Sequence, residues 1–141
     1  LLTVRGGIQT RIDAEWVDYI ESGGDLEGEI RADRYLGRVL VGGDMKRTRL
    51  STGSGGLGSV AVMGGMENSN LQIGGPVGEI FAIGDLHNTS VDAGRLGRVI
   101  VRGRIGGGGL GPSGWIRARQ GWFLLQDGGG SEWIGSGAGH I

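Results

Sequence analysis

Three acidic residues, Asp25, Asp44 and Asp85, each follow a glycine and precede Leu or Met in the 141-residue chain. Carboxylates placed one above another could offer the several oxygen ligands that Ca²⁺ takes. The series is broken by Gly65 and ended by Arg104, and the nine-residue period of Ca²⁺-binding Gly-Gly-x-Gly-x-Asp repeats is missing. Gly-Asp also makes turns, because glycine frees the backbone and Asp bonds to it locally. The sequence therefore predicts turns at these positions and no cofactor, with Ca²⁺ at Asp25, Asp44 and Asp85 as the alternative. Glycan cleavage would need two or three carboxylates, or a carboxylate with a base, converging on one sugar. The nearest such assembly draws on Asp44, Lys46, Arg47, Asp85 and His87. A histidine beside charges on a turn is more simply a solvated surface, and His140 near the terminus has no visible partner. No catalytic residue is assigned. Trp115, Trp122 and Trp133 crowd the last segment with Phe123. Such aromatics either close the open end of a repeat stack or form a platform on which sugars lie, and Trp115, Trp122 and Trp133 are the candidate ligand residues.

The elements that would position these groups come from an internal repeat. Leu36-Gly-Arg-Val-Leu-Val-Gly-Gly-Asp-Met45, Leu57-Gly-Ser-Val-Ala-Val-Met-Gly-Gly-Met66, Val77-Gly-Glu-Ile-Phe-Ala-Ile-Gly-Asp-Leu86 and Leu96-Gly-Arg-Val-Ile-Val-Arg-Gly-Arg-Ile105 start 21, 20 and 19 residues apart. A fainter copy runs from Val17 to Leu26, and Ile8 and Ile12 lie about one period upstream. Within each copy Val39 and Val41, Val60 and Val62, Ile80 and Ala82, and Val99 and Val101 alternate with their neighbours, which is a strand period. Several glycines per unit exclude a helical repeat, since each costs about 1 kcal/mol against Ala in a helix. A second strand per unit is marked by Ile30, Leu50, Leu71, Val91 and Leu110.

Stacked in parallel about 4.8 Å apart, such coils satisfy one another's backbone groups and place equivalent side chains in ladders. The expected inward ladders are Leu36, Leu57, Val77, Leu96; Val39, Val60, Ile80, Val99; Met45, Met66, Leu86, Ile105; and Leu50, Leu71, Val91, Leu110. Gly37, Gly58, Gly78 and Gly97 fall where alternation changes phase, and glycine there is expected for its freedom in φ. Thr48, Ser69 and Thr89 align as a polar ladder, and Asn68 aligns with Asn88; both are expected to tie turns together. Leu40, Ala61, Phe81 and Ile100 lie between the inward residues and should point outward as an apolar stripe, the candidate interface.

Composition narrows the partners. The 34 glycines come with only two prolines and no Gly-X-Y period, which excludes collagen. A net charge of -1 gives no reason to expect nucleic acid, and no apolar run is long enough to insert in a membrane. Cysteine is absent, so neither disulfides nor thiolate-held metals support the fold.

The Leu-Gly-x-Val-x-Val-x-Gly-Asp-Leu pattern resembles the Gly-rich right-handed parallel β-helix repeats of bacterial surface and secreted proteins, including autotransporter passenger regions and adhesins, over residues 2 to 114. The resemblance implies an all-β, right-handed parallel β-helix, a β-solenoid of about seven coils of 19 to 21 residues, with residues 1–114 as repeat coils and 115–141 as an aromatic-rich final coil or cap. A β-propeller fragment is the other fold considered, because pairs of repeats match a blade. The resemblance further implies a non-catalytic structural or adhesive segment of a larger extracellular or cell-surface protein. Its partners would be neighbouring coils or domains of a longer chain, a laterally associated copy, or a glycan. Some proteins of this architecture bind or cut polysaccharides, which is the alternative function.

Overall fold

A computed structural model describes residues 2–4, 6–103, 116–118, 123–127, 130–134 and 139–140. The chain is all β and forms a parallel β-solenoid of about five turns. Its strands are β1 (Leu2–Val4), β2 (Ile8–Ser22), β3 (Leu26–Val41), β4 (Met45–Thr52), β5 (Leu57–Val62), β6 (Met66–Glu67), β7 (Asn70–Ala82), β8 (Leu86–His87), β9 (Ser90–Val101), β10 (Ile116–Ala118), β11 (Phe123–Asp127), β12 (Gly130–Ile134) and β13 (Gly139–His140). Each strand from β1 to β9 pairs in parallel with the strand one coil away, as β2 with β3, β3 with β4 and β5, and β7 with β9. This parallel pairing excludes the propeller, whose blades are antiparallel meanders.

The register aligns like with like. Val17, Leu36, Leu57, Val77 and Leu96 form one ladder, and Ile20, Val39, Val60, Ile80 and Val99 another. Leu26, Met45, Met66 and Leu86 form a third. All are buried, and the interior they fill is apolar except for the side chains of Ser22, Thr48, Ser69 and Thr89, among the described residues. Ile105 lies outside the described residues.

Two expectations need correction. The fourth ladder does run through Leu50, Leu71 and Val91, but the residue stacked on Val91 is Ile116 rather than Leu110, which lies outside the described residues. Likewise Leu124–Gln126 stack on Arg98–Ile100, so the last coil is about five residues wider than the others. The solenoid has about five turns where about seven coils were expected. Beyond β11 the chain reverses: β12 runs antiparallel to β11, and β13 antiparallel to β10.

The second correction concerns Gly37, Gly58, Gly78 and Gly97. None has positive φ; among the described glycines only Gly28 does, at 131°. A Cβ on Gly58 would instead overlap the carbonyl oxygen of Gly37, and one on Gly78 that of Gly58. The column is glycine because two backbones pass too close for any side chain, where two residues separate inward Leu36 from inward Val39.

Left-handed backbone occurs elsewhere, at Arg47 (φ 45°), Asn68 (φ 50°) and Asn88 (φ 48°), one per coil at one corner. Asn tolerates this region better than other non-glycine residues. Asn88 Nδ2 donates to Asn68 Oδ1 at 2.6 Å, so the corner is also tied coil to coil. Arg47 fits less well, although its guanidinium reaches Glu27 at 2.8 Å across an exposed surface. Arg47→Asn should therefore stabilise the fold by about 0.5 kcal/mol, the relief of strain exceeding the loss of an exposed ion pair. Urea denaturation checks this; a lower midpoint would show that the ion pair dominates.

Candidate functional site

The corner that follows the first strand of each coil carries most of the groups with chemical capacity. Asp25 Oδ1 accepts a hydrogen bond from the Asp44 amide at 2.8 Å, and Asp44 Oδ1 accepts one from the Gly65 amide at 2.9 Å. Each carboxylate thus closes the backbone of the next coil, which is why Asp recurs there. Lys46 Nζ stands between the outer oxygens, 3.7 Å from Asp25 and 3.9 Å from Asp44. The carboxylate column is used in folding, and among the described residues no three His, Cys, Asp or Glu side chains converge on a point where a metal ion could sit.

This corner explains a second glycine position. A Cβ on Gly43 would overlap Asp25 Oδ1, and one on Gly64 would overlap Asp44 Oδ1. Aspartate in one coil thus requires glycine in the next. Gly64→Ala should cost about 2 kcal/mol by overpacking and Asp44→Ala about 1 kcal/mol by loss of its hydrogen bond. The double variant should lose about 1 kcal/mol less than the sum, because removing the carboxylate takes away the nearer obstacle and leaves the Gly43 oxygen at 2.9 Å. Thermal denaturation of the four proteins measures the coupling, and simple additivity would show that Gly64 responds to something other than Asp44.

The same corner holds an open notch of about 290 Å³ lined by Asp44, Gly65, Met66, Glu67, Asp85 and His87. The structure brings Asp44, Asp85 and His87 to one notch, and adds Glu67, which sequence reasoning did not single out. Lys46 remains with Asp25 and Asp44, and Arg47 turns to Glu27.

Below the corner, Thr48, Ser69 and Thr89 turn buried hydroxyls toward backbone carbonyls. Thr48 Oγ1 donates to Lys46 or Leu26 oxygen at 2.8 and 2.9 Å, Ser69 Oγ to Glu67 oxygen at 3.0 Å and Thr89 Oγ1 to His87 oxygen at 3.0 Å. The hydroxyls satisfy acceptors that an apolar interior would leave unpaired. Their role is structural.

The outer sheet face contains the apolar stripe. Leu40, Ala61, Phe81 and Ile100 are in register and half-buried. Met63 and Ile83 extend it: they lie just past the ends of β5 and β7 and are 40% and 44% exposed. The backbone ladder continues at their position, with the Met63 amide bonded to Val41 oxygen and the Ile83 amide to Val62 oxygen. Alternation in the sequence shows Phe81 and Ile83 as outward neighbours, a signal that was present but not read.

Outward charges elsewhere largely alternate in sign along the stack. Glu29 lies between Arg11 and Arg49, Asp13 beside Arg31, and Lys46 between Glu27 and Glu67. Arg98 meets Glu79 at 2.8 Å and Arg34 meets Glu15 at 2.8 Å. In-register stacking would place like charges about 4.8 Å apart, and alternation avoids that repulsion.

Two exposed aromatics were not anticipated. Trp16, 59% exposed, stacks in register with Tyr35, 40% exposed, beside the Glu15–Arg34 pair. Both belong to the faint first copies of the repeat, where the pattern gave no frame for them. Trp115 and Trp122 lie outside the described residues. Trp133 lies in β12, opposite Leu124. The chain matches no protein family, no curated protein and no solved structure.

Proposed function

We propose that this chain is a non-catalytic structural or adhesive β-solenoid segment of a larger extracellular or cell-surface protein, a rod that displays its faces to partners. The supporting observation is where the reactive side chains go. The carboxylates of Asp25 and Asp44, the hydroxyls of Thr48 and Ser69, and the Asn68–Asn88 pair bond one coil to another, and the Thr89 hydroxyl bonds the His87 carbonyl within its own coil. Little chemical capacity is left uncommitted, and the autotransporter- and adhesin-like repeat pattern agrees with a display role. No cofactor belongs to this reading.

The test is to delete one coil, residues 66–85, which joins Gly65 to Leu86 in the phase that Asp85 had. A spacer should refold cooperatively with a lower melting temperature, and neither form should release reducing or unsaturated ends from pectin or alginate. Turnover by the full chain that disappears with Asp85→Asn and His87→Ala would overturn the proposal in favour of the notch as an active site.

Carbohydrate binding is a second reading, supported by Trp16 and Tyr35. Exposed aromatic faces beside a charged hydrogen-bonding pair suit the apolar face and hydroxyls of a sugar. Titration with cello- and xylo-oligosaccharides should show binding that Trp16→Ala abolishes, and unchanged spectra at millimolar sugar would dismiss it.

A further inference from the structure

We propose that the outer apolar face pairs with the same face of a second copy, with the two rods antiparallel. The inference rests on reading this face as a contact surface and adds its occupant and geometry. Two flat sheet faces pack about 10 Å apart, and a self-complementary pairing needs a two-fold axis lying between them. Only two orientations keep the rods aligned.

With the axis along the strands, between the coils of Ala61 and Phe81, coil order reverses and each column faces itself. Phe81 then lies over Ala61 of the other copy, and Leu40 over Ile100. Met63 lies over Ile83 in the neighbouring column, and Arg102 falls over Gly42. Large meets small at each unequal position, and apolar meets apolar elsewhere. At the ends of the stripe Glu21, in register with Leu40, faces Gln126, in register with Ile100. On the other flank Arg38 meets Arg98, but Arg98 is already bound to Glu79 at 2.8 Å, so the approach is to an ion pair.

With the axis along the rod, Phe81 would oppose Phe81 and Ala61 would oppose Ala61, leaving a clash beside a void. Ile83 would face the Glu79–Arg98 ion pair, an apolar side chain set against charge. The sequence of the face thus selects the antiparallel pair. The face spans three outward columns over four coils, or on the order of 300 Å² per copy from strand dimensions. That is below the usual size of a stable interface, so the pair is a concentration-dependent equilibrium and not a permanent dimer.

The chain has no cysteine, so single cysteines report position cleanly. Leu40→Cys and Ile100→Cys proteins, mixed and treated with a short bis-maleimide, should give a cross-linked dimer at a yield several-fold above either protein alone. Sedimentation of the unmodified chain should show self-association that Ala61→Phe weakens by about tenfold or more, and that the exchange Ala61→Phe with Phe81→Ala restores. All substitutions face outward, and circular dichroism confirms that each protein is folded. Cross-linking of Leu40→Cys protein with itself would overturn the antiparallel geometry. A chain that stays monomeric at millimolar concentration without mixed cross-links would overturn the pairing and leave the face to a different molecule. Neither result bears on the non-catalytic rod, which the coil deletion tests separately.

Discussion

Gly58→Ala should destabilise the fold by about 3 kcal/mol or more, at the upper end of what overpacking costs. The added methyl would overlap the Gly37 carbonyl oxygen, and it would also lie 3.2 Å from the Tyr35 hydroxyl. Backbone is the obstacle, so no side-chain rotation relieves it. Separating the coils would stretch the parallel hydrogen bonds on both sides, from Leu36–Leu57 to Val39–Val60 and from Leu57–Val77 to Val60–Ile80. Gly6→Ala is the control: nothing lies within 4 Å of its added Cβ, and the variant should be neutral or slightly stabilised through the unfolded chain. Urea denaturation of the two proteins decides the matter. Equal midpoints would mean that the glycine column is set by turn preference and not by close approach.

Leu71→Ala should cost about 2–5 kcal/mol, the range for emptying a buried leucine site. Leu71 is fully buried between Leu50 and Val91 in a central coil, so the cavity opens on both neighbouring coils. A solenoid is stabilised by nearest-neighbour interfaces, and a weak central interface lets its halves unfold separately. The denaturant slope of the main transition should therefore fall along with its midpoint. Ile8→Ala should cost about half as much and leave the slope unchanged, because among the described residues Ile8 is paired with Leu26 alone. A single transition with an unaltered slope for Leu71→Ala would show that the coils unfold as one unit.

Much of this architecture is legible in the sequence. Val39, Val60, Ile80 and Val99 could be aligned by eye, because parallel stacking in register demands the same kind of residue at the same place in every coil. The Asp and Thr/Ser columns were visible for the same reason. What failed was inference from periodicity where periodicity ends. Leu110 fits the spacing, yet Ile116 is the residue paired with Val91, because spacing alone does not fix the register once the repeat pattern is lost. Trp16 and Tyr35 were passed over because the first copies of the repeat are degenerate. Their register becomes plain only when Val17 is seen on Leu36.

The candidate sites divide in the same way. The sequence marked Leu40, Ala61, Phe81 and Ile100 as outward, because side chains alternate along a strand. That Met63 and Ile83 widen the row to a face depends on the ladder continuing past the strand ends. Asp44, Asp85 and His87 were grouped in the sequence, and the structure adds Glu67 to the notch that they line. Whether a carboxylate is available for chemistry was decided by its hydrogen bond to the coil above.

The sequence by itself determined the repeat, the strands, the inward ladders and the apolar outward row, since each follows from a period and a local preference. Tertiary structure alone decided why the glycines are glycine, which residue closes the last ladder and which charges are already paired. Those depend on distances between coils about twenty residues apart in the chain, and a period fixes which residues meet but not how closely.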